Sequence, residues 1–326
     1  MPVSADLTQI ALIREVDYGV TPPTPTWLIL PITGESLAGN ASAELSQSLN
    51  PTRQDLDSIL TGLDVAGSLD FEFAKTPAME LMMVSAMGND VFGVLPDQNL
   101  IVGSDQISYT VEKRWPDPNN EGSYLFHRYV GCVSNTFTLN MTAGASITGS
   151  TGVIGKELIT AKTEIVGSVY TDPTSFEVFK GPDVNQIDLD NKGGTLLPTI
   201  TDSCVTDITI NLNNNYRGIQ CLGTLGNKET VIGKFNASYD QTIFFGSNEL
   251  MDDFLAQSIL LETITVGDDA TDNHYKFTTT KGKFASNEVV AGGTGTDVVN
   301  SNTINWLYDG SLPAPTTIEI YTTDTP

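Results

Sequence analysis

Hydrophobic and polar residues alternate with a period of two in short runs along the whole chain, which predicts a mainly β protein. The clearest run is residues 65–73, where Val65, Leu69, Phe71 and Phe73 alternate with small or polar residues. Glycine, asparagine, aspartate and proline separate the runs, as turns require. The other predicted strands span residues 27–30, 107–111, 124–133, 136–141, 205–212, 231–245, 262–266, 275–279, 303–308 and 317–321.

The first of two predicted helices spans residues 77–87 and contains the apolar residues Met79 and Leu81. Thr76 is placed to cap its N-terminus, and a proline follows at the first helical position. Gly88 suits the C-terminal end, where a left-handed backbone is common. These signals predict both helix ends.

The second predicted helix spans residues 248–259. Ser247 can cap it, and acidic residues near its start suit the helix dipole. Leu250, Phe254 and Leu255 are predicted to share its buried face.

The order of the elements repeats along the chain, because each predicted helix follows one alternating strand and precedes several others. This order predicts a tandem duplication of one β domain, with domains at 1–172 and 173–326 and a Gly- and Thr-rich segment, 181–201, near the boundary. The two histidines, His127 and His274, fall at matching points. The matched runs are 65–69 with 231–235, 107–111 with 262–266, 124–126 with 275–277, and 131–133 with 282–284.

The charge is strongly acidic, with 40 Asp and Glu against 16 Lys and Arg and a net charge of −24. The two halves carry similar shares, so the charge does not sit in an acidic tail. Such a field repels phosphates, and basic residues never cluster beyond Lys113-Arg114, which argues against nucleic-acid binding. Solubility is an equally simple explanation of the acidity.

Cysteine usage and the N-terminus indicate folding in the cytosol. Cys132, Cys204 and Cys221 are too few and too scattered for a disulfide framework or a zinc site. The first residues lack a basic region and an apolar core, so we expect no signal peptide, and no apolar run is long enough to span a membrane.

No motif indicates catalysis or a cofactor, so we predict neither. Each histidine neighbours an aromatic residue, which favours packing over acid–base chemistry. Residues 149–156 imitate a phosphate-binding loop, but the glycine spacing is wrong and a Glu follows the Lys, so a flexible hairpin is the better interpretation.

Two carboxylate clusters could hold calcium. However, neither follows the order of an EF-hand loop, and turn formation explains both. The clusters are Asp183, Asp188 and Asp190, and Asp268, Asp269 and Asp272.

Several segments together resemble the tail tube proteins of siphophages, the long-tailed phages with non-contractile tails. The most specific is the strand at 65–73 with the helix after it. Residues 53–55 lie in what resembles the long inter-strand loop of that family. The other similar segments are 11–22, 33–37, 205–217 and 231–254.

The resemblance implies a fold of two packed antiparallel sheets with a flanking helix, in subunits that form rings stacked into a tube for the genome. Because the chain is about twice as long as one such domain, a trimer with pseudo-sixfold symmetry competes with a hexamer. The implied partners are further copies, a tape measure protein, and terminator and baseplate proteins, with double-stranded DNA passing through unbound and no membrane involved.

The resemblance also implies roles for particular residues. Asp70 and Glu72, on the polar side of their strand, are candidate lumen acids. Gln47, Arg53, Asp55 and Asp57 are candidates for an inter-ring loop. Two alternatives stay open: another virion β-protein, such as a fibre or decoration protein, and a carbohydrate-binding β-sandwich, against which the dispersed tryptophans argue.

Overall fold

The structure is a computed structural model that describes residues 3–49, 51–52, 54–89, 98–173, 176–191, 195–196, 204–268, 273–308, 310 and 316–321. It is mainly β, as the alternating pattern predicts. The strands of the first half are β1 (Gln9–Arg14), β2 (Thr26–Leu30), β3 (Gly34–Glu35), β4 (Ala38–Leu45), β5 (Ser58–Glu72), β6 (Gln98–Ile101), β7 (Tyr109–Pro116), β8 (Tyr124–Thr142), β9 (Thr148–Gly155), β10 (Glu157–Ala161) and β11 (Val169–Thr171).

Short 3₁₀ helices lie at Ala5–Leu7 and Gly181–Asp183. The second half of the chain is also mainly β. Its strands are β12 (Val184–Asn191), β13 (Thr195–Leu196), β14 (Val205–Asn213), β15 (Arg217–Gln220), β16 (Asn227–Val231), β17 (Asn236–Phe244), β18 (Leu260–Asp268), β19 (Asn273–Ala291), β20 (Val298–Trp306) and β21 (Thr316–Tyr321).

The first helix, α1 (Pro77–Met87), has the predicted ends. The Thr76 hydroxyl accepts a hydrogen bond from the Met79 backbone N–H at 3.2 Å, and Gly88 ends the helix with φ +64°. Every residue from Ala78 to Met87 is buried, because the helix packs against β8, β2, β1 and β6. Apart from Glu80 and Ser85 the helix is apolar on all sides, and such a helix belongs in a core.

The second helix, α2 (Glu249–Ala256), is shorter than predicted. It ends where Gln257 takes a left-handed conformation, and Asn248 is its N-cap residue. The Ser247 hydroxyl instead accepts from the Glu249 N–H at 3.3 Å. The prediction for Leu255 was wrong: its side chain is 72% exposed.

Two sets of elements have the same order and the same strand pairing. In the first set, β5, α1, β7, β8 and β9 occur in this order, with the short β6 between α1 and β7, and β5 pairs with β9, β7 with β8, and β8 with β9. In the second set, β17, α2, β18, β19 and β20 follow one another, and β17 pairs with β20, β18 with β19, and β19 with β20. All of these pairs are antiparallel.

The longest strands, β8 and β19, each contain 19 residues and change pairing partner along their length. The early part of each pairs with β7 or β18, and the late part pairs with β9 or β20. Each has a register shift at the change of partner, between Ser134 and Thr136 in β8 and between Phe284 and Ser286 in β19. Bulged strands commonly turn the corner between packed sheets in this way.

These register shifts align the two sets at a separation of 150 residues in the long strands. The alignment corrects two matches made from sequence. Residue 231 ends β16, which pairs with β15 outside the main sheets, and it is β17 that corresponds to β5. His127 lies opposite Lys113, whereas His274 lies opposite Gly267, so the two histidines do not correspond.

The segment interpreted as a flexible hairpin is a strand, and the segment near the predicted domain boundary is partly a strand. Residues 149–156, taken as a flexible hairpin, lie almost entirely in β9, where Thr151 and Val153 are buried. Part of the Gly- and Thr-rich segment 181–201 forms β12, which pairs with β18. Their small, polar side chains hid strands that are stabilised by neighbours distant in sequence.

Candidate functional site

The surface that bears most of the candidate chemistry is one face of a continuous run of strands in the order β4, β5, β9, β8, β14, β17, β20 and β19. We call its outward side the polar face. Alternate residues point inward and form the core, such as Phe71, Leu139 and Ile210. The residues between them point outward, as the two-residue period of a strand requires.

Among the described residues, six carboxylates lie on the polar face, one of them the exposed Asp64 of β5. Asp70 and Glu72, predicted as lumen acids, are joined there by three acids of the second half that sequence reasoning did not select: Asp207, Asp240 and Glu288. These three acids alternate with inward-pointing residues along β14, β17 and β19, so the sequence indicates that they point outward. Only the strand order brings them onto one surface. Lys283, opposite Asn305, lies beyond the register shift of β19 at the end of this face.

Hydrogen bonds link the side chains across the polar face. The Ser150 hydroxyl donates to Asp70 at 2.6 Å. The Asp240 carboxylate accepts from the Asn211 amide at 2.9 Å and from the Thr303 hydroxyl at 2.5 Å. Both acids are therefore held in place by neighbouring strands rather than free to turn.

The polar face is continuous because β14 of the second half pairs with β8 of the first half. We call this pairing the internal joint; it runs from Thr136 opposite Asn213 to Thr142 opposite Asp207. On its inner side Leu139 faces Ile210, and neither side chain is exposed to solvent.

On the outer side of the internal joint, two hydrogen bonds cross between side chains. The Thr138 hydroxyl donates to the Asn211 amide oxygen at 3.2 Å, and the Thr209 hydroxyl donates to the Asn140 amide oxygen at 3.0 Å. One sheet thus spans both halves without a break.

A comparison with protein families gives one match. The family model described as phage tail tube protein matches residues 5–317. The chain belongs to the phage tail tube protein family. A search of curated proteins found no match.

In this tail tube protein, the candidate inter-ring residues lie at the end of a long hairpin. We call residues 43–60 the arm; it comprises the end of β4, the start of β5 and the connection between them. Gln47, Asp55 and Asp57 are exposed there, and Arg53 lies outside the described residues. The arm also exposes large apolar side chains, which a monomer normally buries: Leu45, Leu49, Leu56, Ile59 and Leu60.

The corresponding connection of the second half, between β14 and β17, does not project. It contains the β15–β16 hairpin, which lies against the first half. The Asn227 amide donates to the Gly155 carbonyl at 3.0 Å, and the Leu63 N–H donates to the Leu225 carbonyl at 2.9 Å. Beneath it is a cavity of about 790 Å³, lined in part by Tyr18 and Lys156.

The helix residues selected from sequence are core residues. Met79, Leu81 and Leu250 are at most 1% exposed. Phe254 packs partly buried against the core, with its ring 6.3 Å from that of Phe284 in an edge-on arrangement. They support the fold and are not part of the polar face.

The other candidate chemistry is scattered. Trp27 and Trp306 are buried, so they cannot form a sugar-stacking platform with Trp115. His127 packs edge-on against Trp115, and burial together with Lys113 lowers its pKa.

The calcium candidates are not brought together either. Within the described part of the chain, no group of three potential metal ligands occurs. Of the second cluster, Asp269 and Asp272 lie outside the described residues. Among the described helices, none is long and apolar enough to cross a membrane.

Proposed function

We propose that this tail tube protein assembles into rings that stack into the tail tube of a siphophage and conduct double-stranded DNA, without catalysing a reaction. The observation that carries the proposal is the polar face, where carboxylates of both halves lie on one uninterrupted sheet. A closed ring of such sheets would have an acidic inner surface, which repels the DNA backbone and lets it slide.

The proposal includes a tandem duplication with domains at 1–172 and 173–326. Its support is the identical order and pairing of the two strand sets and their matching register shifts. Three chains would then supply the six domains of a ring. Closing the sheets into a barrel would also remove the exposed strand edges that otherwise promote aggregation.

The proposed partners are further copies of the chain, a tape measure protein inside the growing tube, and terminator and baseplate proteins at its ends. The arm is proposed to contact the next ring, because its exposed leucines and isoleucines need a covering surface. Deletion of residues 47–57 should leave rings but prevent stacking. Tubes of normal length from the deletion variant would contradict this role.

Electron microscopy of the purified protein at high concentration tests the function. We expect hollow tubes with a regular axial repeat. Monodisperse monomers under all assembly conditions would count against tube formation and would favour a role as a fibre or decoration protein.

The lining of the bore can be tested with one cysteine in a Cys204→Ser, Cys221→Ser background. Glu72→Cys in assembled tubes should react with a small maleimide but not with a polymer-linked maleimide wider than the bore. Glu121→Cys, in the exposed turn between β7 and β8, is the control and should react with both. Equal reaction of Glu72→Cys with both reagents would place the polar face outside.

A further inference from the structure

Each of the two strand edges that meet at the internal joint has a counterpart in the other half of the chain. We call these two counterparts the open edges. By the alignment of the two sets, Thr136–Thr142 of β8 corresponds to residues 286–292 at the end of β19. Within the described residues, the part of β19 from Ser286 to Ala291 pairs with β20 on one side and with no strand on the other.

The other side of the internal joint has a counterpart as well. In the second half, Asp207 lies opposite Thr242 and Asn211 lies opposite Ser238. At the equivalent positions of the first half, Gly34 lies opposite Asp70 and Ala38 lies opposite Ala66. The segment 207–213 of β14 therefore corresponds to residues 34–40 of β3 and β4. In the described structure these two strands pair only with β5, but the Lys113 ammonium donates to the Leu37 carbonyl, so Lys113 would have to release that carbonyl when a second chain pairs there.

We infer that residues 286–292 of one chain pair with residues 34–40 of a second copy, in the register of the internal joint. Val289 then lies opposite Leu37, and Glu288 opposite Ala38. This inference rests on the proposed function and specifies the contact through which chains join.

The state of the open β19 edge supports a protein partner there. Leu139 is fully buried at the internal joint, whereas the corresponding Val289 is 37% exposed. The amide of Asn287, which corresponds to Phe137, has buried nitrogen and oxygen atoms without hydrogen-bond partners. Buried polar atoms without partners are costly, so the end of β19 is not fully satisfied in the single chain.

The geometry also fixes the symmetry of the contact. It joins two different edges, so it is head-to-tail, and such contacts form closed rings when the rotation closes. If the new joint repeats the rotation of the internal joint, internal and inter-chain joints alternate around a ring, which under the proposed function holds three chains. Glu288 of each chain would then extend the polar face onto the next.

Disulfide trapping tests the register. In the Cys204→Ser, Cys221→Ser background, Ala38→Cys with Glu288→Cys places the two cysteines directly opposite, where Cα atoms are about 4.5–5.5 Å apart and a disulfide can form. Mild oxidation should give covalent dimers and trimers. Ala38→Cys with Ser286→Cys is two residues out of register, about 7–8 Å apart, and should crosslink at least tenfold less.

Thr138→Cys with Asn211→Cys is the internal control and should give a disulfide within one chain. If tubes form but the opposed cysteines do not crosslink, or the shifted pair crosslinks equally well, the inference is wrong and the proposed function stands. Crosslinked trimers from a protein that forms no tubes would support the joint and overturn the tube.

A charge variant provides a second readout. Val289→Lys should fold, because the side chain is partly exposed in the monomer, but it should prevent ring formation in sedimentation experiments. Val169→Lys changes an exposed valine of β11, away from both edges, and should assemble normally. Unchanged assembly of Val289→Lys would overturn the inference.

Discussion

The internal joint and the open edges that correspond to it use the same strands in two states. In the internal joint, Leu139 and Ile210 meet in the core, and threonine and asparagine side chains bond across the outer side. At the open β19 edge the corresponding valine is partly exposed and the amide of Asn287 has no partner. Under the proposed assembly, the internal joint gives the register in which two neighbouring chains would meet.

The largest expected difference is between matched truncations at the two places. Leu139→Ala removes a fully buried side chain and should lower the free energy of unfolding by about 2–5 kcal/mol. Val289→Ala should lower that of the monomer by less than about 1 kcal/mol, because the side chain keeps much of its contact with water. Urea denaturation of both variants measures this, and equal losses would mean that the edge is covered in the monomer.

A second large effect is expected from a buried acid in the second half whose counterpart in the first half is apolar. Glu262 in β18 corresponds to Val111 in β7, and it accepts a hydrogen bond from the Trp306 indole at 2.7 Å. Burial raises the pKa of Glu262 to about 8, against the opposing effect of that hydrogen bond. The folded state therefore holds a proton that the unfolded chain loses near its ordinary value of 4.5.

The sign of the pH effect follows from this difference. The stabilisation is complete below about pH 4.5 and is lost as the pH rises to about 8, a change on the order of 5 kcal/mol. Glu262→Gln keeps the shape without titrating, so its melting temperature should exceed that of the wild type increasingly as the pH rises from 5 to 8. Parallel melting curves over this range would show that Glu262 is already ionised in the fold.

Substitutions in the β14–β17 connection and in the arm should differ by a smaller amount in their effect on the free energy of unfolding. Asn227→Ala leaves the Gly155 carbonyl without its side-chain donor and should cost about 1–3 kcal/mol. Gln47→Ala, on the exposed arm, should leave the stability of the monomer unchanged within about 0.5 kcal/mol. Chemical denaturation compares them, and an unaffected Asn227→Ala would indicate that the β15–β16 hairpin is not held by this bond.

The smallest predicted contrast is between the helix caps. Thr76→Ala removes a side-chain cap of α1 and should cost about 1 kcal/mol. Asn248→Ala should cost only a few tenths, because Asn248 makes no side-chain capping bond at the start of α2. Thermal unfolding resolves the two, and equal shifts would contradict the difference in capping.

Local signals were sufficient for the mainly β class and for α1, where Thr76 and Gly88 specify the ends through their own side chain and backbone. They failed for β9, because its glycines, Gly149, Gly152 and Gly155, have weak strand preferences and the strand is stabilised by pairing with β5 and β8. The matching of residues 65–69 to 231–235 failed for a related reason: alternating runs look alike, and only pairing distinguishes β16 from β17.

Only some of the acids on the polar face could be selected from the sequence. Asp70 and Glu72 could be selected from their parity in one regular strand. Asp240 and Glu288 could not be joined to them, since nothing local says that β14 crosses to β8 and makes one face of two halves. Long-range strand order, unlike a helix cap, has no single residue that encodes it.

The most direct test of the account is the number of chains in one ring, measured by native mass spectrometry of isolated rings together with end-on electron microscopy. The account predicts three chains and a threefold ring with six similar lobes around the bore. Six chains per ring would contradict it, because each chain would then contribute one tube domain rather than two.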